Sequence, residues 1–176
     1  MKLGLREAVG HSLNSTHLEP INERESNIDR IGALGRATKL SSALWRWKYG
    51  GDSHSAPHAL HALLRKAQRR TRIYRHSKDF HILERICKLV LSEWFHPNCR
   101  VCNGAREFSE DKLVIVCQSC NGSGLHNHSD RERMMSLNMV DGEYVKWADR
   151  VSEVWLCLSG ADAGGAVVCR YQLERK

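Results

Sequence analysis

Four cysteines with the spacing of a metal site lie in the second half of the chain. They form two C-x2-C pairs, Cys99 with Cys102 and Cys117 with Cys120, and fourteen residues separate the pairs. Each pair can supply two thiolates from one tight turn, and a hairpin between the pairs can bring them together around Zn2+. Because four thiolates close the coordination shell, the spacing predicts one structural Zn2+ without a catalytic role.

The same four cysteines could instead form two disulfides, which persist in oxidising compartments. The N-terminal sequence lacks the apolar stretch of a signal peptide, and no run approaches the ~20 apolar residues of a transmembrane helix. We therefore expect a reducing interior, no membrane association and thiolate ligands. Cys87 and Cys157, outside the motif, lie in apolar helical patterns that are typical of buried side chains.

Positive charge is concentrated in one segment of the chain. The formal net charge is +7, and residues 53–78 contain neither Asp nor Glu. The pattern predicts a helix with an apolar stripe on one face and cations on the other. Such a cationic face favours nucleic acid or a nucleic-acid machine as partner, and a solvated helix face or an acidic protein partner is the alternative. The candidate contacts are Arg65, Lys66, Arg69, Arg70, Arg72 and Arg75.

The hydrophobic pattern predicts a mainly α protein with an inserted zinc ribbon. Apolar residues recur at helical spacing over about 28–50, 55–75, 79–95 and 143–159, and Ser129 can cap a further short helix. A β-rich run at 112–116 is the expected second strand of the ribbon, and Ala163-Gly164-Gly165 predicts the end of the last helix. The expected organisation is a flexible or irregular arm at 1–27, a basic bundle-like helical region at 28–96, a zinc-binding module at 97–125, a C-terminal helical pair at 126–162 and a tail at 163–176.

The C-terminal helical pair is compatible with a helix-turn-helix motif, with its turn at Val140-Asp141-Gly142. The second helix of the pair is acidic at Glu143, Asp149 and Glu153, and an acidic recognition helix would repel phosphates. We therefore expect the zinc module and the helix after Ser129 to be the better DNA-contact candidates, and the last helix to be a packing element.

With this order of parts, the chain resembles the late antitermination proteins of lambdoid bacteriophages, the Q family. The resemblance rests on Cys99-Arg100-Val101-Cys102-Asn103-Gly104 and Cys117-Gln118-Ser119-Cys120-Asn121-Gly122-Ser123-Gly124-Leu125, which look like the paired C-x-x-C-x-G knuckles of that family. It also rests on their position after a basic helical half and before a helical segment. The first knuckle departs from the pattern at Gly104-Ala105-Arg106, where a second glycine often stands.

The resemblance implies a factor without enzymatic activity that binds double-stranded DNA at a phage late promoter. It would load onto host RNA polymerase in the bacterial cytoplasm and make the enzyme read through pauses and terminators. Sigma factor and nascent RNA are further partners that the resemblance leaves open, whereas no small-molecule substrate is expected. The basic segment at 53–78 is assigned to RNA or polymerase, with DNA left open as its partner. The expected DNA contacts are Arg100, Arg106, Lys112, Arg131, Arg133, Lys146 and Arg150.

Two other functional classes remain open. The knuckles also look like those of the cysteine-rich domain of J-domain chaperones, which binds unfolded polypeptide, although the chain has only two knuckles and no His-Pro-Asp tripeptide. A zinc-ribbon endonuclease is the enzymatic alternative, prompted by His126-Asn127-His128 directly after the last knuckle. The acidic residues near these histidines that could help to hold a divalent metal are Asp130 and Glu132.

Overall fold

The computed structural model describes residues 35, 37–110 and 113–174. Within these ranges the chain is mainly helical, as the hydrophobic pattern predicts, and its strands form one two-stranded sheet. Residues 88–149 form one compact unit, here called the knuckle unit, and the remaining described residues form another, the helical unit. The predicted arm at 1–27 and the candidate DNA contact Lys112 lie outside the described residues.

Five helices and two strands follow one another along the described part of the chain. They are α1 (Lys39–Gly50), α2 (Ser55–Thr71), α3 (Phe80–Phe95), β1 (Glu107–Glu110), β2 (Leu113–Val116), α4 (Asp130–Ser136) and α5 (Asp141–Glu174). The predicted positions of α2, α3, β2 and α4 agree with these bounds to within a few residues. The first predicted helix, at 28–50, begins only at Lys39 among the described residues, because Thr38 is extended and caps it; residues 28–34 and 36 lie outside the described residues.

Local hydrogen bonds set the ends of the first two helices. The Thr38 hydroxyl caps α1 by accepting a hydrogen bond from the N–H of Ser41 at 3.1 Å. Ser55 is the first residue of α2 and donates its hydroxyl to Asp52 at 2.7 Å. The Asp52 carboxylate also accepts the N–H of His54. A carboxylate accepts hydrogen bonds more strongly than a hydroxyl does, which explains why Asp52 organises this turn.

The helical unit is built around apolar side chains from α1, α2, α3 and α5. Helices α1 and α2 contact each other, and α2 contacts α5 through the Lys66 ammonium group, which donates to the Cys157 carbonyl at 3.1 Å. On α2 the buried stripe includes Leu63, Ala67 and Thr71, whereas Tyr74 lies beyond the helix and is exposed. Fully buried side chains in this unit include Trp45, Leu44, Leu63, Leu83, Ile86, Val151, Val154 and Leu158.

Helix α5 continues through the glycines that were expected to end it. The predicted end near Ser159 and the predicted tail at 163–176 are wrong, because α5 extends to Glu174. Gly165 is buried against the indole of Trp45, and a Cβ atom at this position would lie 2.6 Å from Trp45 Nε1. The indole N–H donates to the carbonyl of Asp162 at 3.2 Å. This close approach needs a residue without a side chain, and packing outweighs the poor helix propensity of glycine.

Helix α5 is also the one described helix that is long and apolar enough to cross a membrane. The qualifying segment is Asp141–Tyr171; its most apolar 18-residue window has a mean hydropathy of 1.2, and 39% of that window is buried within the protein. By length and composition alone, this helix therefore meets the criterion that no segment was expected to meet. The buried residues Val151, Val154 and Leu158 give a second reason for this composition, since a core helix needs the same apolar side chains.

In the knuckle unit, strands β1 and β2 pair antiparallel with Phe108 opposite Ile115. Helix α4 begins with a capping box, in which the Ser129 hydroxyl accepts the Glu132 N–H and the Glu132 carboxylate accepts the Ser129 N–H. The turn after α4 comes earlier than the predicted turn at 140–142. Asn138 adopts a left-handed conformation with φ of 48°, which ends α4 and places Asp141 in the first turn of α5.

Candidate metal centre

The four predicted cysteine ligands come together in the knuckle unit. Their sulfur atoms all lie within 4.8 Å of one another, and each cysteine is at most 8% exposed. The sulfur atoms of Cys102 and Cys120 are 3.7 Å apart. A tetrahedral ion with metal–sulfur bonds of about 2.3 Å would separate its ligands by about 3.8 Å, so the spacing fits such an ion. All seven cysteines are free thiols, which argues against the disulfide alternative.

Each cysteine pair lies on a tight turn stabilised by backbone hydrogen bonds. In the first knuckle Ala105 donates its N–H to the Cys102 carbonyl at 2.8 Å, and in the second Ser123 donates to the Cys120 carbonyl at 3.0 Å. Left-handed residues follow the second cysteine of each pair: Asn103 and Gly104 in one, Asn121 and Gly122 in the other. The two knuckles therefore repeat the same backbone path.

Backbone hydrogen bonds on both sides of the cysteine cluster join the first knuckle to the second. Cys99 donates its N–H to the Gly124 carbonyl at 2.8 Å, and His126 donates to the Pro97 carbonyl at 2.8 Å, which flank an antiparallel bridge between Asn98 and Leu125. On the other side, Cys117 donates its N–H to the Arg106 carbonyl at 2.9 Å, where the β hairpin begins. These bonds give the cysteine cluster a frame that does not depend on sulfur ligation alone.

Backbone N–H groups also face the sulfur atoms. The N–H groups of Cys102 and Val101 hydrogen-bond to the Cys99 sulfur and lower the pKa of this thiol to about 6. Gly124 donates its N–H to the Cys120 sulfur at 3.3 Å. Such donors stabilise thiolates, and thiolates are the form that binds soft or borderline metal ions. The donor set and its surroundings thus fit a closed, structural metal site.

The predicted DNA-contact cations fall into two groups. Arg100, Arg106, Arg131 and Lys146 are exposed in the knuckle unit. Arg133 is different, because its Nε and Nη2 atoms donate to the Glu93 carboxylate at 2.9 and 3.0 Å in a bidentate ion pair. In the helical unit, Arg150 donates to Glu153 at 2.8 Å. The geometry thus favours a structural ion pair for Arg133, whereas the Arg150–Glu153 pair lies at the surface.

The six cations predicted for RNA or polymerase are all exposed on or just after α2. Lys66 nevertheless bonds to the backbone of α5 through the Cys157 carbonyl, so its charge is turned toward that helix. Arg72 ends α2 in a left-handed conformation with φ of 60°. Beside this face, a cavity of about 460 Å3 is lined by further basic groups, including Lys39, Arg46, His58, His61 and Arg65.

Glu93 is the residue of this unit that the sequence analysis missed. Its side chain is only 2% exposed, and besides Arg133 it faces His128, whose Nδ1 atom lies 3.8 Å from Glu93 Oε1. Burial lowers the pKa of His128, which favours the neutral imidazole at neutral pH. Its position in the sequence could have indicated burial, because Glu93 lies on the apolar face of α3, three residues after Val90 and directly before Trp94.

The fold and the cysteine cluster define a mainly helical protein with a buried four-cysteine cluster that could hold a metal ion. No family model, curated protein or solved structure matches the chain.

Proposed function

We propose that the protein is a zinc-stabilised transcription factor that acts as a phage late antiterminator. It would bind promoter-region DNA, load onto host RNA polymerase and suppress termination. The observation that supports this best is the buried, closed cysteine cluster, built from two knuckles with the C-x-x-C-x-G spacing and flanked by exposed arginines. The resemblance of these knuckles to those of the phage Q family supports the specific function.

Zn2+ is the ion that we assign to the cysteine cluster. Four thiolates in tetrahedral spacing are the usual donor set of structural zinc, and the ion is redox-inert. The coordination shell has no position left for water or substrate, so the ion would hold the knuckles in place. The exposed surface around it would then make the contacts with DNA, which agrees with a role outside catalysis.

Arg100, Arg106, Arg131 and Lys146 are the DNA contacts that we retain, because their side chains are exposed. Arg133 and Arg150 are withdrawn from the proposal because both are held in ion pairs. Arg106 has a further point in its favour. Its φ of 73° lies in the left-handed region, which is unfavourable for arginine, and residues strained in this way cluster at functional sites.

The β hairpin and the cationic face of α2 are proposed as contacts with polymerase or nascent RNA. Val114, Ile115 and Phe108 are 64%, 44% and 42% exposed, so the hairpin presents apolar side chains on both faces. Exposed apolar patches are typical of protein-binding surfaces. On α2, Arg65, Arg69 and nearby cations offer charge for RNA phosphates or for an acidic protein surface.

A run-through transcription assay tests the proposal. On a template carrying the cognate late promoter and a downstream terminator, wild-type protein should increase readthrough, and Cys117→Ser should not, because it removes one of the four ligands. Cys87→Ser is the matched control, since Cys87 is a buried cysteine that is not part of the cluster. The antiterminator proposal fails if wild-type protein leaves termination unchanged on templates that its promoter-site binding, measured in parallel, shows to be occupied.

A further inference from the structure

We propose that His126, His128 and Glu132 form a second metal site, separate from the cysteine cluster, that binds a divalent first-row transition ion such as Zn2+ in an open coordination shell. One ring nitrogen of each histidine and one carboxylate oxygen of Glu132 lie within 4.8 Å of one another. The three residues lie together in the knuckle unit and share no ligand with the four cysteines. This proposal does not depend on the antitermination function.

The chain holds these three side chains in place before any metal binds. The N–H of His126 is fixed to the Pro97 carbonyl at the edge of the knuckles. The imidazole rings of His126 and His128 meet edge to face, with centroids 4.3 Å apart and an interplanar angle of 89°. Two imidazoles from residues i and i+2 thus converge on one side of this short segment.

The two carboxylate oxygens of Glu132 make different contacts. Its Oε2 atom accepts hydrogen bonds from the N–H and the hydroxyl of Ser129, at 2.8 and 3.2 Å, as part of the capping box of α4. Its Oε1 atom lies 3.2 Å from Nε2 of His126. The capping box therefore positions the carboxylate and leaves one oxygen directed at the histidines.

His128 gives an independent indication of a ligand. Its Nε2 atom is buried and has no hydrogen-bond partner among the described residues, although buried polar groups nearly always have one. Its Nδ1 atom faces the Glu93 carboxylate at 3.8 Å, and Glu93 is held by Arg133. The placement of one ring nitrogen beside a carboxylate and the other without a partner resembles that of a carboxylate–histidine–metal site, although 3.8 Å is longer than a hydrogen bond.

The donor set decides the kind of ion. Two imidazoles and one carboxylate suit Zn2+ and its neighbours in the first transition row better than Ca2+ or Mg2+, which need more oxygen ligands. Three protein ligands leave at least one coordination position free. His128 and Glu132 also line a cavity of about 510 Å3 together with Arg100, so an anion bound to the metal would meet a positive charge.

Titration of the full-length protein with Co2+ separates the two sites. The first equivalent should fill the cysteine cluster and give the intense thiolate-to-cobalt charge-transfer absorption. A second equivalent should bind more weakly, give only weak d–d bands, and shift the ring-nitrogen NMR signals of His126 and His128. Wild-type protein that takes up only one equivalent, or a second equivalent that leaves both histidines unshifted, overturns the proposal.

Glu132→Gln is the sharpest variant, because glutamine can keep the capping box while it loses the anionic ligand. We expect the second equivalent to bind at least about tenfold more weakly, with the first equivalent unchanged. His61→Gln, at an exposed histidine in the helical unit, is the control and should bind both equivalents like wild type. Equal affinity for the second equivalent in wild type and Glu132→Gln would mean adventitious binding and would refute the site.

His128→Gln tests the same point if Glu132→Gln does not fold. The thiolate-to-cobalt absorption of the first equivalent then shows whether the variant is folded.

Discussion

Arg106 and Gly124 occupy the same position in the two knuckles, and both have left-handed backbones. Their φ angles are 73° and 74°, so the first knuckle uses an arginine where the second uses glycine. An L-residue with a side chain in this region costs roughly 1–2 kcal/mol relative to the right-handed region, whereas glycine adopts it freely. Arginine in place of the second glycine therefore makes the turn of the first knuckle less stable but does not alter its backbone path.

Arg106→Gly should raise the free energy of unfolding by about 1 kcal/mol, because it removes this strain. The measurement is urea denaturation of the metal-loaded protein. At the matched position, Gly124→Ala should destabilise, since a Cβ there would lie 2.8 Å from the Gly104 carbonyl oxygen, a backbone atom that cannot move aside cheaply. If Arg106 contacts DNA as proposed, Arg106→Gly should also weaken DNA binding, and a loss of both stability and binding would contradict this account of the turn.

The ion pair between Arg133 and Glu93 gives a second prediction at this scale. Arg133→Ala should lower the free energy of unfolding by about 3 kcal/mol, because it leaves the 2%-exposed Glu93 carboxylate without its bidentate partner. Arg131→Ala, on the exposed side of the same short helix, should change stability by less than about 0.5 kcal/mol. Equal small effects of both substitutions in urea denaturation would show that Arg133 is not structural.

At the level of elements, α5 carries a matched pair of glycines. Gly165 is buried against Trp45, whereas a Cβ at the exposed Gly160 would meet no atom within 4 Å. Gly165→Ala should destabilise by about 1–3 kcal/mol, because the buried indole cannot yield without losing its bond to Asp162. Gly160→Ala should stabilise by about 0.5–1 kcal/mol, because alanine favours the helix.

Thermal unfolding of the two alanine variants beside wild type measures this difference. The opposite signs are the critical result, since both substitutions add the same methyl group to the same helix. Stabilisation by Gly165→Ala as well would mean that Trp45 does not contact α5 as closely as the structure has it. The glycines at 164–165 would then be tolerated without a packing reason.

The elements that local sequence determines could be predicted, and those that depend on distant contacts could not. The Ser129 cap, the β run before Cys117 and the four cysteine ligands follow from spacing and capping chemistry within a few residues. The continuation of α5 depends on Trp45, more than a hundred residues away from Gly165 in sequence. The role of Arg133 depends on Glu93, forty residues earlier, so an exposed cation and an ion-paired one look alike in the sequence.

At the scale of the whole molecule, the metal centre and the cationic face belong to different compact units. The cysteines and Arg100, Arg106, Arg131 and Lys146 are in the knuckle unit, whereas α2 is in the helical unit. Substitutions on α2 should therefore leave metal binding unchanged, and loss of a cysteine ligand should leave the fold of α2 largely intact. The two proposed contact surfaces can thus be tested one at a time.

The salt dependence of RNA binding tests the α2 face. Each cation that neutralises a phosphate contributes to the slope of log Kd against log salt concentration, by roughly 0.7 for a single strand. If Arg65, Arg69 and Arg72 all contact phosphates, replacing the three by Ala should reduce that slope by about 2 and weaken binding at low salt. Fluorescence anisotropy with a labelled single-stranded RNA over a range of salt concentrations measures both quantities.

A control with the same change in net charge decides whether position matters. Replacing Arg131, Lys146 and Arg170 by Ala also removes three exposed cations, two of them from the knuckle unit. If α2 is the RNA-binding face, this control should keep nearly the wild-type slope, because long-range attraction is screened within about 10 Å at 0.1 M salt. Equal losses from the two triple variants would mean that RNA responds to the overall positive charge of +7, and the α2 face would lose its assignment.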